Sequence, residues 1–228
     1  MSMAVTVAFD VYGTLIDTHG VVRALEQFAG NDAMHFSRAW REKQLEYSFR
    51  RGLMADYENF SECTRQALDY VCLQYKVPLT EQQKQELLAI YRELPAFDDV
   101  PAGLSHARSA GFNLYAFSNG TAQAVHGLLN HAGLGYYFRE VVSVDEVRSF
   151  KPSPVVYEHF LQRSASSAAN TWLVSSNPFD VLGAMAVGMR TAWVQRTPDS
   201  LFDPWNRQPT IVIDSLAGLA DKMNEVLK

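Results

Sequence analysis

Six short apolar runs limit what this chain can become. They are AVTVAF at 4–9, FNLYAF at 112–117, VVSV at 141–144, TWLVSS at 171–176, RTAWVQ at 190–195 and TIVI at 210–213. Each is too short for a typical helix and rich in β-branched or aromatic residues, as a buried strand is. Helical patterns lie between them. Residues 101–110 open on Pro101 and stop at Gly111, residues 121–132 end near Gly133, and 152–165 begin after Lys151-Pro152; Pro at a helix start and Gly past its end is the usual asymmetry. Strands alternating with helices predict βαβ units and a mainly parallel sheet.

Residues 18–95 have a different texture. ALEQFAG, HFSRAWREKQLEYSFRRG, ENFSECTRQALDYVCLQY and TEQQKQELLAIYREL are charged helical stretches, and no strand pattern separates them. The expected fold class is α/β: a Rossmann-like parallel-sheet core, residues 1–17 and 96–228, with an inserted α-helical cap domain, residues 18–95. A length of 228 residues suffices for that arrangement and for a sizeable core. The net charge of −5, with no dominant basic patch, argues against nucleic-acid and anionic-membrane partners. Cys63 and Cys72 lack metal-site spacing and read as buried thiols. The opening MSMAVTVAFD has no basic, long-apolar signal pattern, and no run reaches about 18 apolar residues. A cytoplasmic location is therefore expected. The six histidines are scattered, and none falls at a strand end.

Four of the strands finish on something polar. The first ends in Asp10 and the second in Ser118-Asn119-Gly120. Lys151-Pro152 follows the third, and the fourth runs into Ser175-Ser176-Asn177-Pro178-Phe179-Asp180. In parallel sheets ligands bind beyond the carboxyl ends of the strands, so these groups should surround one cleft. Taken singly each has a plainer explanation: Asp10 or Asp180 as a cap, Ser118-Asn119-Gly120 as a turn, Lys151 as a solvated charge. Four together in order favour a site.

The order resembles the haloacid dehalogenase superfamily, whose pattern is DxxGT, a later Ser/Thr, a Lys and an acidic loop; Asp10-Val11-Tyr12-Gly13-Thr14, Ser118, Lys151 and Asp180 match it. Phosphatases of that superfamily usually carry a second acid where Tyr12 stands, to protonate a departing alcohol, and a further carboxylate for Mg²⁺ where Ser175, Ser176 and Asn177 stand. A departing halide needs no proton. FDVYGTL, WREKQLEYS, FSNG, KPSPVVY and VSSNPFDVLGA together are similar to the type II (S)-2-haloacid dehalogenases. Phe179, where that family more often has Trp, and Gln195, where Asn is common, depart from the pattern.

The resemblance implies a metal-independent, cofactor-free hydrolysis of short 2-haloacids to (R)-2-hydroxy acids and halide, and a homodimer. Asp10 would attack the substrate carbon and form an ester. Thr14 and Lys151 would contact it, with Tyr157 and Thr14 fixing the carboxylate rotamer. Ser118 and the backbone N–H groups around Val11 and Tyr12 would bind the substrate carboxylate. Arg41 and Asn119 would cradle the halide, and Leu45, Phe60 and Phe179 would wall the substrate's C3 group. Arg41 and Leu45, four apart, share a helix face. Asp180 would activate water for ester hydrolysis, with Asn177 and Ser175 orienting the water or Asp180. The rival readings are a Mg²⁺-dependent phosphatase and a non-catalytic binding protein on the same fold.

Overall fold

A computed structural model describes residues 5–228. The chain opens with β1 (Thr6–Phe9). It then runs through α1 (Val22–Ala29), α2 (Ala33–Met54), α3 (Phe60–Tyr75) and α4 (Glu81–Ile90), with no strand among these described residues. It continues through α5 (Val100–Ser109), β2 (Asn113–Ser118), α6 (Ala122–His131), β3 (Val141–Ser143), α7 (Pro154–Arg163) and β4 (Thr171–Ser175). The last elements are α8 (Pro178–Ala186), β5 (Arg190–Val194), β6 (Ile211–Ile213) and α9 (Leu219–Leu227). All six expected strands form, with ends shifted by a residue or two; Ala4 of the first run lies outside the described residues. Helix α9 goes beyond the expected elements, and α8 is the helix that the sequence lets Asp180 cap.

The six strands make one sheet in the order β3-β2-β1-β4-β5-β6, and every pairing is parallel. The chain builds β2 and β3 to one side of β1, then crosses back to place β4, β5 and β6 on the other. Sheets of this kind have their ligand crevice at that reversal, beyond the strands' carboxyl ends. Here the reversal lies between β1 and β4, where Asp10 and Ser175 emerge. Strand β1 is buried on both faces, with Val7 and Phe9 in one apolar cluster and Ala8 in the other. Helices cover each face, which is why the strands read as continuous apolar runs.

The inserted helices rejoin the sheet through a doubled crossing. Asp17 N–H donates to Pro95 O at 2.8 Å and Phe97 N–H to Leu15 O at 3.1 Å, so the outgoing and returning chains lie side by side. Trp40, fully buried, donates its indole N–H to Thr64 O at 2.8 Å and ties α2 to α3. Both cysteines are buried and free. Among the described residues no helix is long and apolar enough to cross a membrane.

Candidate active site

Asp10 follows β1 directly, and its N–H donates to Val174 O at 3.0 Å, continuing the sheet by one residue. The chain then turns sharply. Gly13 has φ +83°, a backbone conformation that side-chain-bearing residues rarely adopt. This turn sends Thr14 back to the carboxylate it follows.

The Asp10 side chain is almost wholly buried and its two oxygens have different partners. Oδ2 accepts from Thr14 Oγ1 at 2.7 Å, Asn177 Nδ2 at 2.8 Å and Ser175 Oγ at 3.3 Å. Oδ1 accepts from Lys151 Nζ at 3.1 Å. Lys151 also donates to Asp180 Oδ2 at 2.8 Å and to Phe117 O at 2.9 Å, so its three protons are all used. A buried ammonium is tolerated only when so paired. Its backbone N–H donates to Asn119 Oδ1 at 3.0 Å, which anchors the loop that delivers it.

Asp180 lies in the first turn of α8 with no exposure. Burial raises its pKa above the ordinary carboxylate range and Asp10 adds to the rise, while Lys151 and the Tyr157 hydrogen bond oppose it. Tyr157 Oη donates to Asp180 Oδ1 at 2.8 Å. Burial, with the Asp180 charge, holds the phenol well above its usual pKa, so it remains a donor. Gly183 makes room for this ring: a Cβ there would lie 2.4 Å from Tyr157 Oη.

Two expected contacts are corrected by this geometry. Tyr157 binds Asp180 and not Asp10, because α7 packs against α8 rather than reaching the β1 turn. Asn177 and Ser175 bind Asp10 and not Asp180, because Asp180, in the first turn of α8, meets Lys151 while the loop before α8 faces Asp10. The apolar wall also divides. Leu45 and Phe60 belong with Tyr12 to one cluster, Tyr12 and Phe60 having ring centroids 6.1 Å apart. Phe179 instead packs edge-on against Phe49 at 5.0 Å.

The inserted helices reach the same place. Arg41 on α2 donates to Tyr12 O at 3.4 Å and to Gln44 Oε1 at 2.7 Å. Gln44 is buried and bonds in turn to Thr64 on α3. Arg41, Leu45 and Phe49 are spaced by four and form one stripe of α2 over the strand ends. Ser118 is buried, and its Oγ accepts from Gly120 N–H at 3.1 Å. Val11 is buried and its carbonyl accepts from Leu15 and Ile16, fixing the turn.

Several contributors were not legible from the motifs. Phe117 gives Lys151 a carbonyl and a ring face 4.2 Å from Nζ. Ser176 N–H donates to Thr14 Oγ1 at 2.9 Å, which leaves the Thr14 proton for Asp10. Arg196 donates to Thr14 O and forms a two-bond pair with Asp99 at 2.8 and 2.9 Å. Gln44 and Phe49 had a usable signal in their spacing from Arg41, and Ser176 stood in the polar run after β4; Phe117 and Arg196 had none.

The donor set bears on a metal. The groups aimed at Asp10 are hydroxyl, amide and ammonium donors, and the Lys151 ammonium bridges the two carboxylates. Mg²⁺ needs several oxygen ligands. Among the described residues no three His, Cys, Asp or Glu side chains gather as a metal site.

A parallel sheet with a buried, donor-ringed carboxylate at its reversal point defines a doubly wound α/β protein with an enzyme-like crevice. Residues 5–188 match the model of the haloacid dehalogenase-like hydrolases. Haloacetate dehalogenase H-2 of Moraxella sp. (strain B) is 38% identical over 83% of this chain and 85% of its own. (S)-2-haloacid dehalogenase 2 of Pseudomonas sp. (strain CBS-3) is 34% identical over 96% of this chain and 95% of its own. The structure of L-2-haloacid dehalogenase from Xanthobacter autotrophicus with chloropropionic acid covalently bound superposes with a TM-score of 0.89. It is 30% identical and covers 97% of this chain and 99% of that one. The chain belongs to the haloacid dehalogenase-like hydrolase family.

Proposed function

We propose that this chain is an (S)-2-haloacid dehalogenase, converting short (S)-2-haloalkanoates and haloacetates to 2-hydroxy acids. The observation that carries the reading is the partition of Asp10: one oxygen held by Lys151, the other by Thr14, Asn177 and Ser175, with Tyr12 where a second acid would serve a phosphatase. The names of the curated relatives and the covalent chloropropionate in the Xanthobacter protein support the same chemistry.

In the first step an Asp10 oxygen attacks C2 from the side opposite the halogen. The C–O bond forms as the carbon–halogen bond breaks, the carbon inverts, and halide departs with the electron pair. Ser118 and the amides near Val11 and Tyr12 hold the substrate carboxylate, Arg41 and Asn119 receive the halide, and Leu45 and Phe60 enclose the C3 group, with Phe179 held against Phe49. Holding the reactants in line supplies up to about 7–11 kcal/mol. In the second step Asp180 takes a proton from water, which adds to the ester carbonyl of Asp10. The intermediate collapses as the bond between the Asp10 carbonyl carbon and the product oxygen breaks; Asp180 returns its proton to that oxygen, releasing the (R)-2-hydroxy acid, and Asp10 loses the remaining proton of the water to regain its carboxylate. The net products are hydroxy acid, halide and a proton.

Residues 18–95 act as a cap domain that excludes water from the ester; Arg41 reaching the Tyr12 carbonyl supports this division. A homodimer fits the exposed apolar residues on α2 and α3, Leu53, Met54 and Leu73. A cytoplasmic location fits two buried, unpaired cysteines.

Chloroacetate, bromoacetate and (S)-2-chloropropionate are expected to release halide at equal rates with and without a chelator. Turnover of a phosphate ester stimulated by Mg²⁺, or no release from any haloacid, contradicts the reading.

A further inference from the structure

Arg196 stands just past β5 and its side chain is only 13% exposed. Its guanidinium meets three groups at once. Nη1 donates to both oxygens of Asp99, at 2.8 and 2.9 Å. Nη2 donates to the Thr14 carbonyl. The centre of the Phe97 ring lies 4.2 Å from the guanidinium carbon. Nε is buried and has no partner among the described residues. A buried donor left unmet costs stability, and such exceptions concentrate at functional sites.

Each partner belongs to a segment on which Asp10 depends. Thr14 is wholly buried, and no other donor among the described residues reaches its carbonyl. Its hydroxyl is the 2.7 Å donor to Asp10 Oδ2. Phe97 and Asp99 lie on the chain returning from the inserted helices, where Phe97 N–H donates to Leu15 O. Asp99 is itself anchored beyond β6, its Oδ2 accepting from Leu216 N–H at 2.7 Å and Ser215 Oγ at 3.1 Å. Gln195 steadies the other side, donating to Pro198 O at 3.2 Å and Ser200 O at 3.0 Å. The guanidinium is therefore a fork fixed to the core, and the nucleophile turn hangs from one tine. Deprived of that donor, the buried Thr14 carbonyl would have to turn towards water. The Thr14 hydroxyl would then leave the Asp10 carboxylate.

We propose that Arg196 is a positioning residue for the displacement step: through the Thr14 carbonyl it holds the Thr14 hydroxyl on Asp10, and through Asp99 and Phe97 it keeps the returning chain against the nucleophile turn. The proposal rests on the dehalogenase reading for the reaction it serves, but its geometry is testable without turnover. Arg196→Ala is expected to slow single-turnover halide release from (S)-2-chloropropionate about 10- to 100-fold, the scale of a small misplacement passed on to the reacting atoms. Thr14→Val removes the hydroxyl that Arg196 positions, so adding Arg196→Ala to it should change the rate by no more than about 2-fold. Free guanidinium, supplied as the sulfate below denaturing concentrations, should restore rate to Arg196→Ala and not to the double variant. Amide hydrogen exchange in residues 11–17 and 95–99 should quicken in Arg196→Ala, while α3 and α7 keep wild-type exchange. Losses that multiply in the double variant overturn the proposal, since Arg196 would then act independently of Thr14. So does unchanged exchange in residues 11–17, or faster exchange throughout, which marks an ion pair that only stabilises the fold. If the alanine variant does not fold, Arg196→Lys carries the same tests, because an ammonium lacks the fork that spans Asp99 and Thr14. Failure of the dehalogenase reading looks different: the unaltered chain releases no halide from any haloacid, while hydrogen exchange still reports the hold of Arg196 on the turn.

Discussion

Asp10→Asn is expected to lower halide release from chloroacetate by about 10⁴-fold or more, the scale of losing a catalytic nucleophile. The amide matches the carboxylate in shape, so the pocket is kept. It lacks the negative charge, so its oxygen is a far weaker nucleophile for the displacement at carbon. Lys151 keeps Asp180 and the Phe117 carbonyl as partners, so the loss is chemical rather than structural. Halide release by freshly purified protein checks this, together with a thermal melt to confirm folding. Freshness matters because slow deamidation regenerates Asp. Wild-type rates from Asp10→Asn protein whose new amide is intact would remove Asp10 from the mechanism.

Asp180→Asn is expected to separate the two steps. Displacement needs no base, so halide should appear as a burst of about one equivalent. Ester hydrolysis lacks its base and should slow about 10²–10⁴-fold. Mass spectrometry of a digest is then expected to show the substrate's carboxyalkyl group attached as an ester to the peptide containing Asp10. The pH dependence follows from the same residue. Asp180 works only when ionised, and burial raises its pKa above the ordinary 3.8. The ester-hydrolysis rate of the wild type should therefore fall as pH is lowered through that raised pKa, above the range of an exposed carboxylate. Single-turnover rates across pH check the limb, which should vanish in Asp180→Asn. A variant that hydrolyses the ester at wild-type speed would assign the base elsewhere.

The sheet was legible because its strands are buried on both faces and read as uninterrupted apolar runs. The inserted helices were legible because no such run occurs between Asp17 and Ala96. The extent of helix α8, which the sequence lets Asp180 cap, escaped because it is apolar almost all round, with Val181, Leu182 and Ala184 buried beside Asp180, and shows no polar stripe to reveal a helical period. Helix α9 does bury a stripe, Leu219, Ala220 and Met223, but spans only nine residues after the last strand. Within the site, Asp10, Ser118, Lys151, Ser175 and Asp180 stood out because they follow strands, whereas Arg41, Leu45, Phe60 and Tyr157 came only with the family resemblance; the pairings among them were not visible. Whether Tyr157 meets Asp10 or Asp180 depends on how α7 lies against α8, which no local spacing encodes. The same holds for Arg196, whose grip on the Thr14 carbonyl joins positions far apart in the chain. Carbonyl partners such as Phe117 O carry no residue-type signal at all.

The two-step account is tested most directly by one turnover in oxygen-18 water with enzyme in excess over (S)-2-chloropropionate. Asp10 must give its own oxygen to the product and recover one from solvent. The first hydroxy acid released should therefore carry unlabelled oxygen, and the label should be found in the peptide containing Asp10. Labelled hydroxy acid from that first turnover, with Asp10 unlabelled, would mean that water attacks the carbon directly and would contradict the account.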